Sequence, residues 1–513
     1  MDKRHRDQQL ADWLEGKLPE AEAAELLAEL KADALFREET GKEVVVKRLL
    51  SSKAVPEGDF TGQVLETLKE VNEDDLTGQV IIRLQKQRLR RKKWAWGIGI
   101  AALLVLALFL TFDPAAPRND IRIIAAEGIG TLDTDAILEG REIQISTGLL
   151  ELDLNSDARI VLEAPARFQV LSPVHVILHE GRCFAEMEKG KSGLRIETPS
   201  GEVLDLGTKF AIEVQSPEET RVHVFDGEVE VSGRRGKRRI QKGEGLAFRN
   251  SGDQKALVAA PEKFVSRIPR KAKKPKHFVH WSFDEGVGRV VNAGKENGQG
   301  RGEMIAPNES SGPAWVQGVF GKALDFSGEY EWIETDHPGV SGNRDRTVAC
   351  WIKLPEDWGL RDRGPMIAWG SPDKKKVGQG WKFAVSRGSK AHPERTGRLD
   401  LTLGNRSVLG TTDLRDGRWH HVAAVALGGE GIPTFLLYVD GQLENVARNT
   451  IEVMETETEE EGAKMVRFGH QHYSDTRTLR GTLDEVYIIE SALTGNQIRA
   501  IMRNKKIFGK DES

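Results

Sequence analysis

Glu151 and Asp153 stand two positions apart in a chain of 513 residues. Paired carboxylates cleave a glycosidic bond when they flank it about 5–9.5 Å apart. This pair ends in Asn155, where an alternating acidic cluster needs a second Glu, so no hydrolytic centre is read here. No Glu-x-Asp-x-Glu cluster occurs in 277–505, and no nucleophile elbow or phosphate loop occurs in the chain. The expectation is a protein that binds and does not catalyse. His175, His179 and His223 also have ligand chemistry. The first two lie four apart, which on a strand only places them on one face, and exposed strand histidines are expected. Cys183 and Cys350 are the two cysteines. They exclude a disulfide scaffold and a four-cysteine zinc site, and they read as buried thiols.

These residues have to be held by several domains, since about 100–200 residues make one. Lys+Arg number 74 and Asp+Glu 79, for a net charge of -5, and a dedicated nucleic-acid binder would carry a basic excess. Thirty-nine per cent apolar residues suffice for folded cores, and 53 glycines point to many tight turns. Trp13, Trp94 and Trp96 precede residue 113, none lies between 113 and 276, and eight follow, so the chain changes character along its length.

Residues 94–112, WAWGIGIAALLVLALFLTF, form a run of 19 without a charge. At about 1.5 Å per helical residue they span the roughly 30 Å hydrocarbon core of a bilayer. Residues 88–93 (RLRRKK) precede the run and Asp113-Pro114 ends it. The positive-inside rule then places 1–93 in the cytoplasm and 113–513 outside. The expectation is a single-pass protein of the inner membrane with one transmembrane helix.

Residues 1–93 read as a small α-helical module. Leu10, Trp13, Leu14 and Leu18 keep helical spacing, and Pro19 suits the first turn of a second helix. A short repeat follows, DFTGQVLETL (59–68) and DLTGQVIIRL (75–84), with Thr61 and Thr77 as N-caps. The bare residues fit a bundle with a juxtamembrane stalk as well as a partner-binding module. The stretch DWLEGKLPEAEAAELLAELKADALFREE (12–39) resembles the N-terminal helices of membrane-anchored, anti-sigma-like bacterial regulators. The zinc-bearing version of those domains carries His-x3-Cys-x2-Cys, and this segment has no Cys. The resemblance implies a cytoplasmic sigma factor or other regulator as partner. The expected contact face is Leu10, Trp13, Leu14, Leu26 and Leu30.

From 113 to 249 the apolar period becomes two, as in Leu150, Leu152 and Leu154, and an all-β domain is expected. Asp226-Gly227, between Val222/Val224 and Val229/Val231, predicts a hairpin. LLELDLNSDARIVLEAPARFQVLSP (149–173), HEGRCFAEM (179–187), TPSGEVLDLGTKFAIEV (198–214) and VHVFDGEVEVSG (222–233) together resemble the FecR family. The resemblance implies an extracytoplasmic domain associated with signalling. Within DLGT, Gly207 permits a tight turn that Asp205 and Thr208 can bond.

Residues 250–276 carry Pro261, Pro269, Pro275 and the basic run RKAKKPK, and they read as an exposed, semi-extended linker. After it come HFVHWSFDEG (277–286), GVFGKALDFSG (318–328), EWIETD (331–336), DGRWHHVAAV (416–425), LYVDGQLE (437–444) and GTLDEVYIIESALTGNQI (481–498). In this order they resemble the laminin-G-like, concanavalin-type jelly roll across 277–505, with 506–513 as a tail. The resemblance implies a two-sheet antiparallel sandwich with its first and last strands adjacent. Such sandwiches bind carbohydrate or protein, and many bind calcium. Trp358, Trp369 and Trp381 fall between the expected core strands and are the candidate sugar-stacking residues. Asp284 and Asp484 fall in the first and last strands and are the candidate calcium ligands. The acidic run EVMETETEEE (452–461) reads as a solvated loop.

Two functions fit. One is a FecR-type membrane regulator that senses a carbohydrate or envelope polymer outside and reports it inside. The alternative is an envelope adhesion or carbohydrate-binding scaffold with no regulatory role.

Overall fold

LLELDL folds as the strand Leu149–Leu154, with Leu150, Leu152 and Leu154 all buried. The computed structural model describes residues 121–505, apart from 139, 156, 271–276, 295–299, 309–311, 374, 430 and 472–477. The helical module expected at 1–93, its face Leu10, Trp13, Leu14, Leu26 and Leu30, and the span at 94–112 lie outside the described residues. No described helix is long and apolar enough to cross a membrane. The described residues belong to one compact unit, Asn119–Ser513.

Between Ile121 and Val258 the chain builds a thirteen-stranded sheet. Its ladders are antiparallel except where His175–Met187 runs parallel to Arg195–Thr198. The turn at Asp226-Gly227 exists, with Gly227 at φ 76, but its flanking strands do not pair with each other. Glu219–Asp226 bonds Lys209–Ser216 and Glu244–Arg249, whereas Glu228–Gly233 bonds Gly201–Asp205 and Gly236–Gln241. Each strand already has two neighbours, so the turn hands the chain from one part of the sheet to another. In DLGT, Asp205 accepts the Gly207 N–H at 2.9 Å and the Thr208 hydroxyl, and burial pushes the Asp205 carboxyl up to about 6.

The second β body is an antiparallel sandwich of an eight-stranded and a nine-stranded sheet. Its first strand, Phe278–Trp281, lies beside the last, Arg480–Ile489, with Phe278 opposite Ile489 and Trp281 opposite Val486. Trp281, Phe283, Phe326 and Phe468 fill the space between the sheets. Asp440-Gly441, the same hairpin dipeptide, does turn a hairpin: φ is 51 and 74 at the two residues and Val439 pairs with Gln442. A closing helix, Gly495–Asn504, is capped by Thr494 and Gln497 in a reciprocal capping box.

The expected linker is not an exposed spacer where it is described. Gln254–Val258 is a strand paired with Glu244–Arg249. Beyond it Phe264 is 5% exposed and Ile268 2%. Val265 donates its N–H to Glu163 at 2.8 Å and Ile268 to Glu151 at 3.1 Å. Ser266 bonds the Thr434 hydroxyl at 3.0 Å. The prolines keep this strap extended, but its apolar residues find cover. Phe264 and Ile268 join Leu149, Val161 and Phe184 of the first body to Leu436, Tyr438, Tyr487, Ile498 and Ile501 of the second in one apolar cluster. Burying a side chain of this size contributes about 1.5–3 kcal/mol. The strap therefore cements the outer face of the eight-stranded sheet to the first body, and the nine-stranded sheet is left as the free face of the sandwich.

Candidate ligand-binding face

In the nine-stranded sheet alternation decides what faces solvent. Ile333, Val466, Phe468, Ile367, Trp369, Trp381, Phe383, Leu401 and Leu403 point into the core. The residues between them point out. Register places them in one cross-strand row, Glu334–Arg467–Ala368–Lys382–Thr402–Ser407. Strands about 4.8 Å apart give this row of six a length of roughly 24 Å. Its centre, Ala368, is fully buried and Arg467 and Thr402 are each only 9% exposed, so Glu334, Lys382 and Ser407 are the accessible members of the row. That is the lining of a face that can hydrogen-bond an extended polar ligand.

Trp332 and Glu334 share the outward side of Trp332–Thr335. The Trp332 ring stacks on His470, with centroids 4.6 Å apart and planes at 27°. Arg467 lies 6.0 Å over Trp332 and makes a forked bond to Glu334 at 2.9 and 3.1 Å. The Trp332 N–H reaches Glu334 at 3.4 Å. These contacts fix a half-buried indole in one orientation, which lowers the entropy lost when a ligand packs on it. Tyr330, two positions before, is 53% exposed and held at φ 56. A non-glycine residue in that region is uncommon and costs backbone strain. Beyond Ala368, Thr402 donates to Asp400 at 3.2 Å, and burial raises the Asp400 carboxyl against the pull of Lys382.

The three tryptophans expected to bind sugar are not on this face. Trp358 is 1% exposed, and Trp369 and Trp381 are fully buried. Trp358 donates to the Arg480 carbonyl at 3.0 Å and Trp369 to the Val340 carbonyl at 3.2 Å. Trp369 stacks on Trp381 at 5.1 Å, and the Arg346 guanidinium lies 5.4 Å from the Trp381 ring. Trp369 and Trp381 occupy inward strand positions, so they are core. Trp332, Tyr330 and Arg467 are the residues that sequence reasoning missed. The usable signal was the alternation within EWIETD, which sets Trp332 and Glu334 opposite Ile333.

Asp284 and Asp484 hold one turn, residues 318–322. Asp284 accepts the Lys322 N–H at 2.9 Å, and Asp484 accepts those of Val319 and Phe320 at 2.8 and 3.2 Å. The cation beside them is the Lys505 ammonium, 3.4 Å from Asp284 and paired with Glu485. Among the described residues no group of three or more His, Cys, Asp and Glu side chains could hold a metal ion. Backbone N–H groups and the Lys505 ammonium thus engage Asp284 and one oxygen of Asp484, while Asp484 Oδ1 is buried without a hydrogen-bond partner. Burial pushes the Asp484 carboxyl up to about 7.

The histidines do not converge. His175 bonds Glu197 at 2.8 Å and His179 lies 3.4 Å from Glu142. His223 is buried, not exposed, and packs against the Phe264 ring at 5.3 Å. Glu151 is buried too, held by Arg159 and the strap. Both cysteines are buried and free, and burial pushes the Cys183 thiol up to about 12.

Residues 138–230 match the family model of FecR protein, and residues 327–499 match that of the concanavalin A-like lectin/glucanases superfamily. No curated protein matches the chain. Among solved structures, the chain is similar to domain 4 of AbnA, a GH43 extracellular arabinanase from Geobacillus stearothermophilus in complex with arabinotriose. Identity is 21%, coverage 44% of this chain and 96% of that one, and the TM-score 0.33. It is similar to a protein assigned as an anti-sigma factor in Parabacteroides distasonis, at 21% identity over 25% of this chain and 68% of that one, TM-score 0.22. It is also similar to the receptor binding domain of botulinum neurotoxin D, at 14% identity over 44% and 52%, TM-score 0.29.

Proposed function

We propose that this chain is a single-pass envelope regulator. Its outer body binds a carbohydrate on the free face of the sandwich, and its N-terminal module engages a sigma factor or other regulator inside the cell. The supporting observation is the fusion itself: a FecR-matching region is cemented to a lectin-like sandwich whose free sheet carries Glu334, Arg467 and Lys382 in one outward row, with the half-buried Trp332 beside Glu334. RLRRKK followed by 19 uncharged residues supports the membrane anchor and the inside-in orientation. The face has an aromatic platform and polar donors, and binding without cleavage is the reading. Adhesion alone is the rival.

A glycan panel probed with the full chain in detergent tests the binding half. Retention of one polysaccharide, unshortened after incubation, is expected, together with at least tenfold weaker retention by Trp332→Ala. No retained glycan, or release of sugar fragments, defeats it. For regulation, a strain whose protein begins at Arg88 should show an altered transcript profile. An unchanged profile with retained glycan binding leaves adhesion.

A further inference from the structure

The hairpin formed by Glu228–Gly233 and Gly236–Gln241 carries a charge pattern that the glycan face does not explain. Residues 234–242 read RRGKRRIQK, six cations in nine positions. Arg235, Lys237, Arg239 and Lys242 have side chains 65–70% exposed. Gly236–Gln241 is the last strand in its sheet order, so one of its long edges has no paired neighbour. Ile240 alone points into the core. Alternation puts Lys237 and Arg239, about 6.6 Å apart, on one side of the strand and the exposed Arg238 on the other, so the cations flank both sides of this edge.

Four of the six meet an acid. Lys237 pairs with Glu230 at 2.7 Å, Arg239 with Glu228 at 3.3 Å, Lys242 with Asp226 at 3.0 Å and Arg235 with Asp253 at 3.9 Å. Exposed pairs of this kind are worth about 0–1 kcal/mol each, so an incoming anion can replace or share them. Among the described residues Arg234 bonds the Asn250 carbonyl, at 3.4 Å, and Arg238 meets no acid. Edge cations also deter strand-to-strand aggregation.

We propose that this hairpin docks a linear anionic polysaccharide, at a site separate from the free face of the sandwich. Four of the six cations are arginines, whose planar forks match carboxylate oxygens better than an ammonium does. A bilayer fits less well, because the hairpin offers no exposed apolar side chain to insert. A nucleic-acid partner conflicts with the chain's net charge of -5. Binding through several exposed cations releases condensed counterions, so affinity should fall steeply with salt, as it does for other linear polyanions.

The probe is polygalacturonate, titrated into the detergent-solubilised full chain at 25 and 200 mM NaCl. Expected are saturable binding at low salt, at least a tenfold loss at high salt, and at least a tenfold loss in the triple variant Arg234→Ser/Arg238→Ser/Arg239→Ser. A control removing equal charge elsewhere, Arg361→Ser/Lys375→Ser/Arg418→Ser, should bind as the parent does. A second hairpin variant, Lys237→Gln/Lys242→Gln, should weaken binding less than the triple one, and it serves if the triple variant unfolds. The proposal is overturned by no binding at low salt, by equal losses in control and hairpin variants, or by preference for poly-glutamate or phosphatidylglycerol vesicles over polygalacturonate.

Discussion

The carboxylate of Glu127 accepts the backbone N–H of Gly495 at 2.8 Å, joining residues 368 positions apart. Glu127 ends the first described strand and Gly495 begins the closing helix. The helix N-terminus carries unsatisfied donors and a partial positive charge, which a carboxylate satisfies from outside the helix. Burial nonetheless raises the Glu127 carboxyl above its ordinary range. Glu127→Ala should cost about 1–3 kcal/mol by leaving a buried donor unmet. Faster amide exchange across Gly495–Asn504 would register it, whereas Glu127→Gln, which keeps an acceptor, should change exchange far less.

Burial sets the pH response of Asp484. Its carboxyl is pushed up to about 7, above its usual value of 3.8, because it is buried. The native chain then holds a proton that the unfolded chain has lost, so stability declines as pH rises from about 4 to about 7. At most about 4 kcal/mol is involved, at 1.36 kcal/mol per pKa unit. Asp484→Asn keeps an acceptor for Val319 and Phe320 and cannot ionise. Denaturant titrations should show it gaining on the parent across that window, and a gap constant with pH counts against this account.

His420 behaves differently from its neighbour His421. It bridges Asp440 at 2.8 Å and Asp416 at 3.0 Å, and these partners raise its pKa. Its contribution is present below about 6.5, its unfolded value, and is lost as pH climbs through the raised folded value. His421 is buried, which pushes it down to about 4. Imidazole proton shifts followed by NMR should place the two midpoints on opposite sides of 6.5.

Arg346 is fully buried and bonds carbonyls of Val340 at 2.8 Å and Arg344 at 3.0 Å, with Thr456 Oγ1 at 2.7 Å. Burial lowers it to about 9. Arg346→Lys cannot span these acceptors and should destabilise by about 2–4 kcal/mol. Trp369→Ala should cost about 3–5 kcal/mol by opening a core cavity. Trp332→Ala, at the surface, should leave the melting temperature within a few degrees while abolishing glycan retention.

Period-two alternation made the β strands legible, and the jelly-roll resemblance implied the adjacency of Phe278–Trp281 and Arg480–Ile489, whereas the Asp226-Gly227 dipeptide marked a turn but not a hairpin. Which tryptophans line the free face was not. In Gly364–Gly370 every residue is buried, so alternation carries no inside-or-outside label for Trp369. The strap escaped for another reason. Pro261 and Pro269 and the basic run dominate its composition, while the acceptors of the Val265 and Ile268 N–H groups, Glu163 and Glu151, lie more than a hundred residues away, as do the apolar residues Leu436, Tyr438 and Tyr487 clustered with Phe264 and Ile268. Likewise, nothing near Asp284 announces that Lys505 supplies its cation.

The sandwich docks with one sheet and presents the other, about 10 Å away. Under the proposed function, a polymer gripped at Trp332 would pull on a surface that shares no residue with the cemented apolar cluster. Load applied there would pass through the core between the sheets before it reached Phe264 or Ile268.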